Sequence, residues 1–187
     1  MFGVLFLVPF YLERGLQLGS GRAGLELMAM PLALGIIAPV AGRLADRLGA
    51  QPLTIGGMGI VAGGLATLGI LRPPIPVFLL LLALVGVGLG LFTPPNNSAI
   101  MGSVPRDQSG LASGVLNMTR GMGTALGLAL TALVFDLAGG RASASSPVAH
   151  AFTVTVLFLA AVAVLAAVIA GLREGGPLEQ SISARVE

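Results

Sequence analysis

Five runs of about twenty residues or more carry at most two charged side chains each, and none of them alternates apolar with polar residues. Runs of that length match the roughly 30 Å hydrocarbon thickness of a bilayer when coiled at about 1.5 Å per residue. Lipid offers no water to an unpaired peptide group, so only helices and closed barrels can cross it. A barrel strand would show two-residue alternation over about ten residues. That pattern does not occur here, so the sequence predicts an all-α membrane protein. Its expected spans are about residues 24–44, 52–71, 76–100, 110–135 and 151–172, preceded by a shorter stretch over about 1–18. The fully apolar part of that first stretch, Met1 to Leu12, rises only about 18 Å, so the first helix reads as truncated. The expected organisation is one six-helix transmembrane bundle over residues 1–172, then a polar, disordered, cytoplasmic tail over 173–187.

Composition removes the other classes. Hydrophobic residues make up 55% of the chain and charged ones 10%, and the mean hydropathy is +0.96. A soluble domain needs about a quarter charged residues to cover its surface. The pI of about 10.4 does not imply nucleic acid as a partner. Net charge is only +2, and all ten basic residues are arginines scattered singly or in pairs, with no basic face interleaved with aromatics. There is no cysteine, and the single histidine, His150, cannot build a metal cluster alone, so neither a metal nor a cofactor is expected. Val77 to Val85 followed by Gly86-Val87-Gly88 imitates a dinucleotide fingerprint, but Leu91 holds the third glycine position. An intramembrane serine protease would need a serine–histidine pair. Ser113 and His150 fall near opposite membrane faces, about 25–30 Å apart, so no enzyme is expected.

The loops between spans are short and polar, with Gly19-Ser20-Gly21-Arg22 after the first and Pro105-Arg106-Asp107-Gln108 after the fourth. Sequence neighbours should therefore pack antiparallel. Charge hardly orients the bundle. With the tail inside, the inner loops hold Arg43, Arg47, Arg106, Arg173 and Arg185 against Arg14, Arg22, Arg72 and Arg141 outside.

Chemistry concentrates in the fifth span. Gly110, Asn117, Thr124 and Thr131 recur every seven residues and are joined by Ser113, Arg120 and Gly127 in one polar stripe. Such a stripe suits a neighbouring helix or a wet cavity rather than lipid. Arg120 lies well away from either end of its span, near the bilayer midplane, where a charge is expensive and marks a candidate functional site; a purely structural arginine is the alternative. In the fourth span, Pro94-Pro95 is expected to interrupt the backbone ladder, with Asn96 and Asn97 satisfying the freed groups, as in the broken helices that line substrate sites; the equal alternative is that the pair marks the helix nearing its cytoplasmic end. Glu26 is the one carboxylate inside an apolar span and a candidate for proton coupling, although its place near the span's start also suits an interfacial side chain. Glycine pairs four apart, Gly59/Gly63, Gly86/Gly90 and Gly123/Gly127, read as helix-packing positions.

After the second span the chain reads Gly42-Arg43-Leu44-Ala45-Asp46-Arg47-Leu48-Gly49, with Pro39 just before it. This resembles the cytoplasmic loop signature of the major facilitator superfamily, Gly-x-Leu-Ala-Asp-Arg-x-Gly-Arg-Lys, with Ala50-Gln51 in place of the closing basic pair. Pro9-Phe10-Tyr11-Leu12, Ala23-Gly24-Leu25, Pro31, Gly86-Val87-Gly88-Leu89-Gly90, Pro94-Pro95, Gly110-Leu111-Ala112-Ser113-Gly114 and Arg120 follow in an order similar to the C-terminal half of the fourteen-helix drug:proton antiporters. The likeness covers about residues 3 to 172.

The resemblance implies a multi-pass protein of the cell's inner (plasma) membrane, half of a secondary transporter that exports amphiphilic, often cationic drugs in exchange for protons by alternating access. Its partners would be membrane lipid, a small-molecule substrate, protons and a missing N-terminal half. Arg120, Asn117, Ser113, Thr124, Asn96 and Asn97 would line the cavity. Glu26 would serve proton coupling, and Gly42, Arg43, Asp46, Arg47 and Gly49 would form the loop that breaks and re-forms as the halves rock. The alternative is a truncated or orphaned membrane fragment that inserts and transports nothing.

Overall fold

A computed structural model describes residues 1–140 and 145–172; the expected tail, 173–187, lies outside them. The described residues form α1 (Phe2–Phe10), α2 (Ser20–Leu27), α3 (Ala29–Leu48), α4 (Ala50–Leu71), α5 (Ile75–Gly102), α6 (Ser109–Leu137) and α7 (Ser145–Leu172). A π-helical turn, Tyr11–Gly15, extends α1, and a 3-10 turn, Arg106–Gln108, precedes α6. Five helices are long and apolar enough to cross a membrane, with α2 and α3 together counting as one over Ser20–Leu48. The fold is thus an all-α membrane bundle, with α1 a short sixth member.

Local chemistry sets the breaks. Gly49 takes φ +84°, a conformation that glycine enters freely, and turns α3 into α4. Arg72 leaves α4 in the left-handed region at φ +42°, and Pro73-Pro74 then lead into α5, with Pro76 in its first turn. Between α2 and α3, Pro31 has no N–H to return to the Leu27 carbonyl, and the helix breaks at Met28. α5 shows the opposite case. Pro94 and Pro95 lie inside one helix that continues to Gly102, because a prolyl residue removes a bond without ending a helix that its neighbours hold.

The spans alternate in direction. One end of the bundle carries the α3–α4 turn at Gly49, the α5–α6 connection and the end of α7; it is termed the loop end, and the other the far end.

Helix α5 is the centre. A Cβ built on Gly86 would strike the Met30 carbonyl of α3, and one on Gly90 would meet Ile37 at 3.0 Å. A Cβ on Gly88 would point the other way, 2.6 Å from the Gly57 carbonyl of α4, and one on Gly57 would lie the same distance from the Gly88 carbonyl. Within lipid, burial releases no water, so this close approach and its dispersion contacts are what hold the helices together. The other two glycine pairs behave differently. Gly59, Gly63, Gly123 and Gly127 meet nothing within 4 Å. Gly59 and Gly63 instead line an open apolar groove of ≈ 640 Å³ between α4 and α7. Packing at that pair of helices comes from Gly69 against Leu157 and from a hydrogen bond at each end: Gln51 Nε2 to the Gly171 carbonyl (3.4 Å) and Arg72 Nε to Thr153 Oγ1 (3.0 Å).

Aromatic rings close the far end. Tyr11 stacks on Phe152 with centroids 4.0 Å apart and on Phe78 at 5.7 Å, and Phe10 meets Phe135 at 5.8 Å. Phe135 and Thr131 are the buried residues of α6, and a Cβ on Gly3 of α1 would touch Thr131 Oγ1 at 2.5 Å. Helix α6 is therefore fastened to α1 and α7 near its C-terminus, and most of its length is uncovered by the chain.

Candidate functional site

The stripe on α6 divides in two. Thr131 is fully buried against α1, its hydroxyl donating to the Gly127 carbonyl at 2.6 Å. Towards the loop end Ser113, Asn117 and Arg120 are exposed and Thr124 is half-buried. These residues face out of the chain from a helix that is long and apolar enough to cross a membrane.

Arg120 has one described partner. Its Nη2 donates to Asn97 Oδ1 at 3.0 Å, joining α6 to α5 across a separation of 23 residues. Helical side chains lean towards the N-terminus of their helix. The guanidinium therefore sits nearer the loop end than its own Cα, between the levels of Arg120 and of Asn97, five residues before α5 ends. That bond also revises the part expected of the asparagines. Among the described residues neither Asn96 nor Asn97 donates to a carbonyl freed by Pro94 or Pro95; Asn97 accepts from Arg120 instead. No carboxylate lies on α5, and the one on α6, Asp136, is sixteen residues from Arg120, about 24 Å along the helix.

Glu26 stands apart, on α2 towards the far end. It is 9% exposed. Oε1 lies 3.4 Å from Nε of the exposed Arg22 one turn earlier, while Oε2 is buried with no described partner. A buried carboxylate oxygen without a donor is costly, by about 1–3 kcal/mol or more.

The segment expected as a loop is the end of α3: Gly42 to Leu48 are helical and only Gly49 leaves the helix, because the next apolar run needs a turn only there; Arg43, Asp46, Arg47 and Gly49 are exposed and Gly42 is half-buried. Among the described residues no ion pair joins them, and α4 starts without a side-chain cap. His150 lies in the first turns of α7 and Ser113 in the first turns of α6, at opposite ends of antiparallel helices.

Two features escaped sequence reasoning. The Arg120–Asn97 bond depends on how two helices are rotated about their axes, and spacing within one helix carries no record of that. The far-end cluster of Tyr11, Phe78 and Phe152 with the neighbouring Arg72–Thr153 bond comes from three separate segments; Pro73-Pro74, which aims Arg72, was the only local signal.

Residues 1–185 match the family model of the Major Facilitator Superfamily. The chain is 37% identical over 134 residues to the riboflavin transporter RibZ of Clostridioides difficile (strain 630), covering 71% of this chain and 29% of that protein. It is 38% identical over 169 residues to the transporter YebQ of Escherichia coli (strain K12), covering 89% of this chain and 35% of that one. The drug efflux pump JefA of Mycobacterium tuberculosis (strain ATCC 25618 / H37Rv) is 27% identical over 164 residues, 83% of this chain and 32% of the pump. The chain thus spans about a third of the length of these relatives. With nearly its whole length matched by the family model and such identity to known transporters, the chain belongs to the major facilitator superfamily.

Proposed function

We propose that the chain is the C-terminal half of a fourteen-helix transporter that exports amphiphilic small molecules in exchange for protons. The observation that carries this reading is the Arg120–Asn97 pair on an uncovered transmembrane face. An arginine turned to lipid at that depth costs about 2.5–3.5 kcal/mol on insertion scales and more in other treatments. A second half with a water-filled cavity between the two removes that cost. Arg120, Asn117, Ser113, Thr124, Asn96 and Asn97 then line the cavity, where alternating access exposes them to each side in turn. Glu26, with its unpartnered oxygen, is the carboxyl proposed to take up and release the proton. The Gly42–Gly49 segment, the end of α3 and its turn into α4 at the inner side of the plasma membrane, is the contact that breaks and re-forms. The relatives named for multidrug resistance and drug efflux favour export.

The test replaces Arg120 by alanine in the transporter of which this chain forms half. Coupled efflux should vanish while the amount of folded protein in the membrane stays near the parent's, since no described ion pair is broken. Normal efflux at normal abundance would remove Arg120 from the site. The 187-residue chain alone in proteoliposomes should drive no proton-linked efflux; transport by it would favour a complete carrier over a half.

A further inference from the structure

Resting on the transport reading above, we infer that this half of the cavity selects amphiphiles that carry a carboxylate, and discriminates against purely cationic ones. The charge inventory of the site is one-sided. The guanidinium of Arg120 is the only charged group on α5 or on α6 between Ser109 and Phe135. It spends one of its five N–H donors on Asn97. The others have no described protein acceptor, and the nearest carboxylate on the same two helices lies about 24 Å away. A planar fork with unused donors matches a carboxylate in geometry and charge. Towards a ligand cation the same group is repulsive, and the polar groups around it, Asn117, Ser113 and Thr124, are neutral.

Asn97 holds the guanidinium from the α5 side without neutralising it, because an amide oxygen accepts a hydrogen bond and carries no charge. That distinction supplies the test. Aspartate at position 97 would strengthen the link to Arg120 and cancel its charge. A merely structural tie between α5 and α6 would survive Asn97→Asp or improve; a ligand-binding arginine would be disabled.

The experiment uses two xanthene dyes that differ at one group, rhodamine 110 with a free carboxylate and its methyl ester rhodamine 123. Energised efflux of each is measured per folded transporter for the parent, Asn97→Asp, Arg120→Gln and Arg120→Lys. The parent should move the acid about tenfold faster than the ester at low concentration, as one charge-assisted bond implies. Asn97→Asp and Arg120→Gln should bring the ratio to about one, and Arg120→Lys should leave an intermediate ratio because the charge stays and the fork is lost. Equal transport of both dyes by the parent, or a preference that survives Asn97→Asp, would overturn the inference while leaving the transport reading intact. Movement of neither dye, nor of any other amphiphile, would overturn the transport reading and this inference with it.

Discussion

Helices α4 and α6 are both long enough to span a bilayer, yet 56% of the apolar stretch of α4 is buried inside the chain against 11% of that of α6. Their glycines show why. Gly57 and Gly64 of α4 lie against the α5 backbone or Val85, with no room for another carbon. Gly110, Gly114, Gly121, Gly123 and Gly127 of α6 meet nothing within 4 Å. Small residues thus do two jobs in one molecule. At Gly57 and Gly64 of α4 they let helices touch, whereas in α6 they lie in and beside a polar stripe that the chain leaves open. A helix kept by its own bundle and a helix offered to another surface can look alike in composition and differ wholly in what a substitution does to them.

Three substitutions test that contrast, all read by thermal unfolding of the purified protein in one detergent. The largest effect is expected from Gly88→Leu, whose side chain would meet the Gly57 carbonyl and the Val61 amide, neither of which can rotate away. Overpacking of this kind costs about 1–3 kcal/mol and often more when backbone is in the way. Stability unchanged within error would mean that α4 and α5 are not in close contact. Next is Arg72→Ala, which removes the bond to Thr153 and should lower stability by about 1 kcal/mol, less if water replaces it at this exposed position. A loss several times larger would make the far-end clamp on α4 and α7 more important than the glycine contacts. The smallest effect is expected from Gly123→Ala. Alanine favours the helix over glycine by up to about 1 kcal/mol, so stability should hold or rise slightly. A clear drop would show that α6 is packed where the chain leaves it open, and would dissolve the contrast.

Much of the architecture was legible in the sequence because lipid imposes such a simple rule. Runs without charge had to be helices, and Gly49 and Pro73-Pro74 punctuate them visibly. What was not legible concerns rotation and neighbours. Gly59/Gly63 and Gly86/Gly90 have the same spacing, yet one pair lines an open groove and the other receives α3. Spacing fixes that two residues share a face of their helix, and says nothing of which helix that face meets. Pro94-Pro95 removes two bonds from the ladder, and how the helix is held there depends on its neighbours: it runs on between α3 and α4. Arg120 and Asn97 were each identifiable as unusual for a membrane span, and their bond was not. The burial of Glu26 likewise depends on α2 folding back beside α1, which only the three-dimensional arrangement reveals.

The attachment of α6 near one end makes it a lever. Its anchor is Phe135, wedged against Phe10 at the far end, and its start is Ser109, 26 residues or about 39 Å away. A tilt of about ten degrees about that anchor sweeps the Ser109 end through about 7 Å, roughly the width of a small aromatic ring with its van der Waals envelope. The anchor itself would shift by a fraction of that, within what a ring contact can follow. Along the lever the Arg120–Asn97 bond ties α6 to α5 about two-fifths of the way from Ser109 to that anchor, so a tilt must either stretch this bond or carry α5 with it.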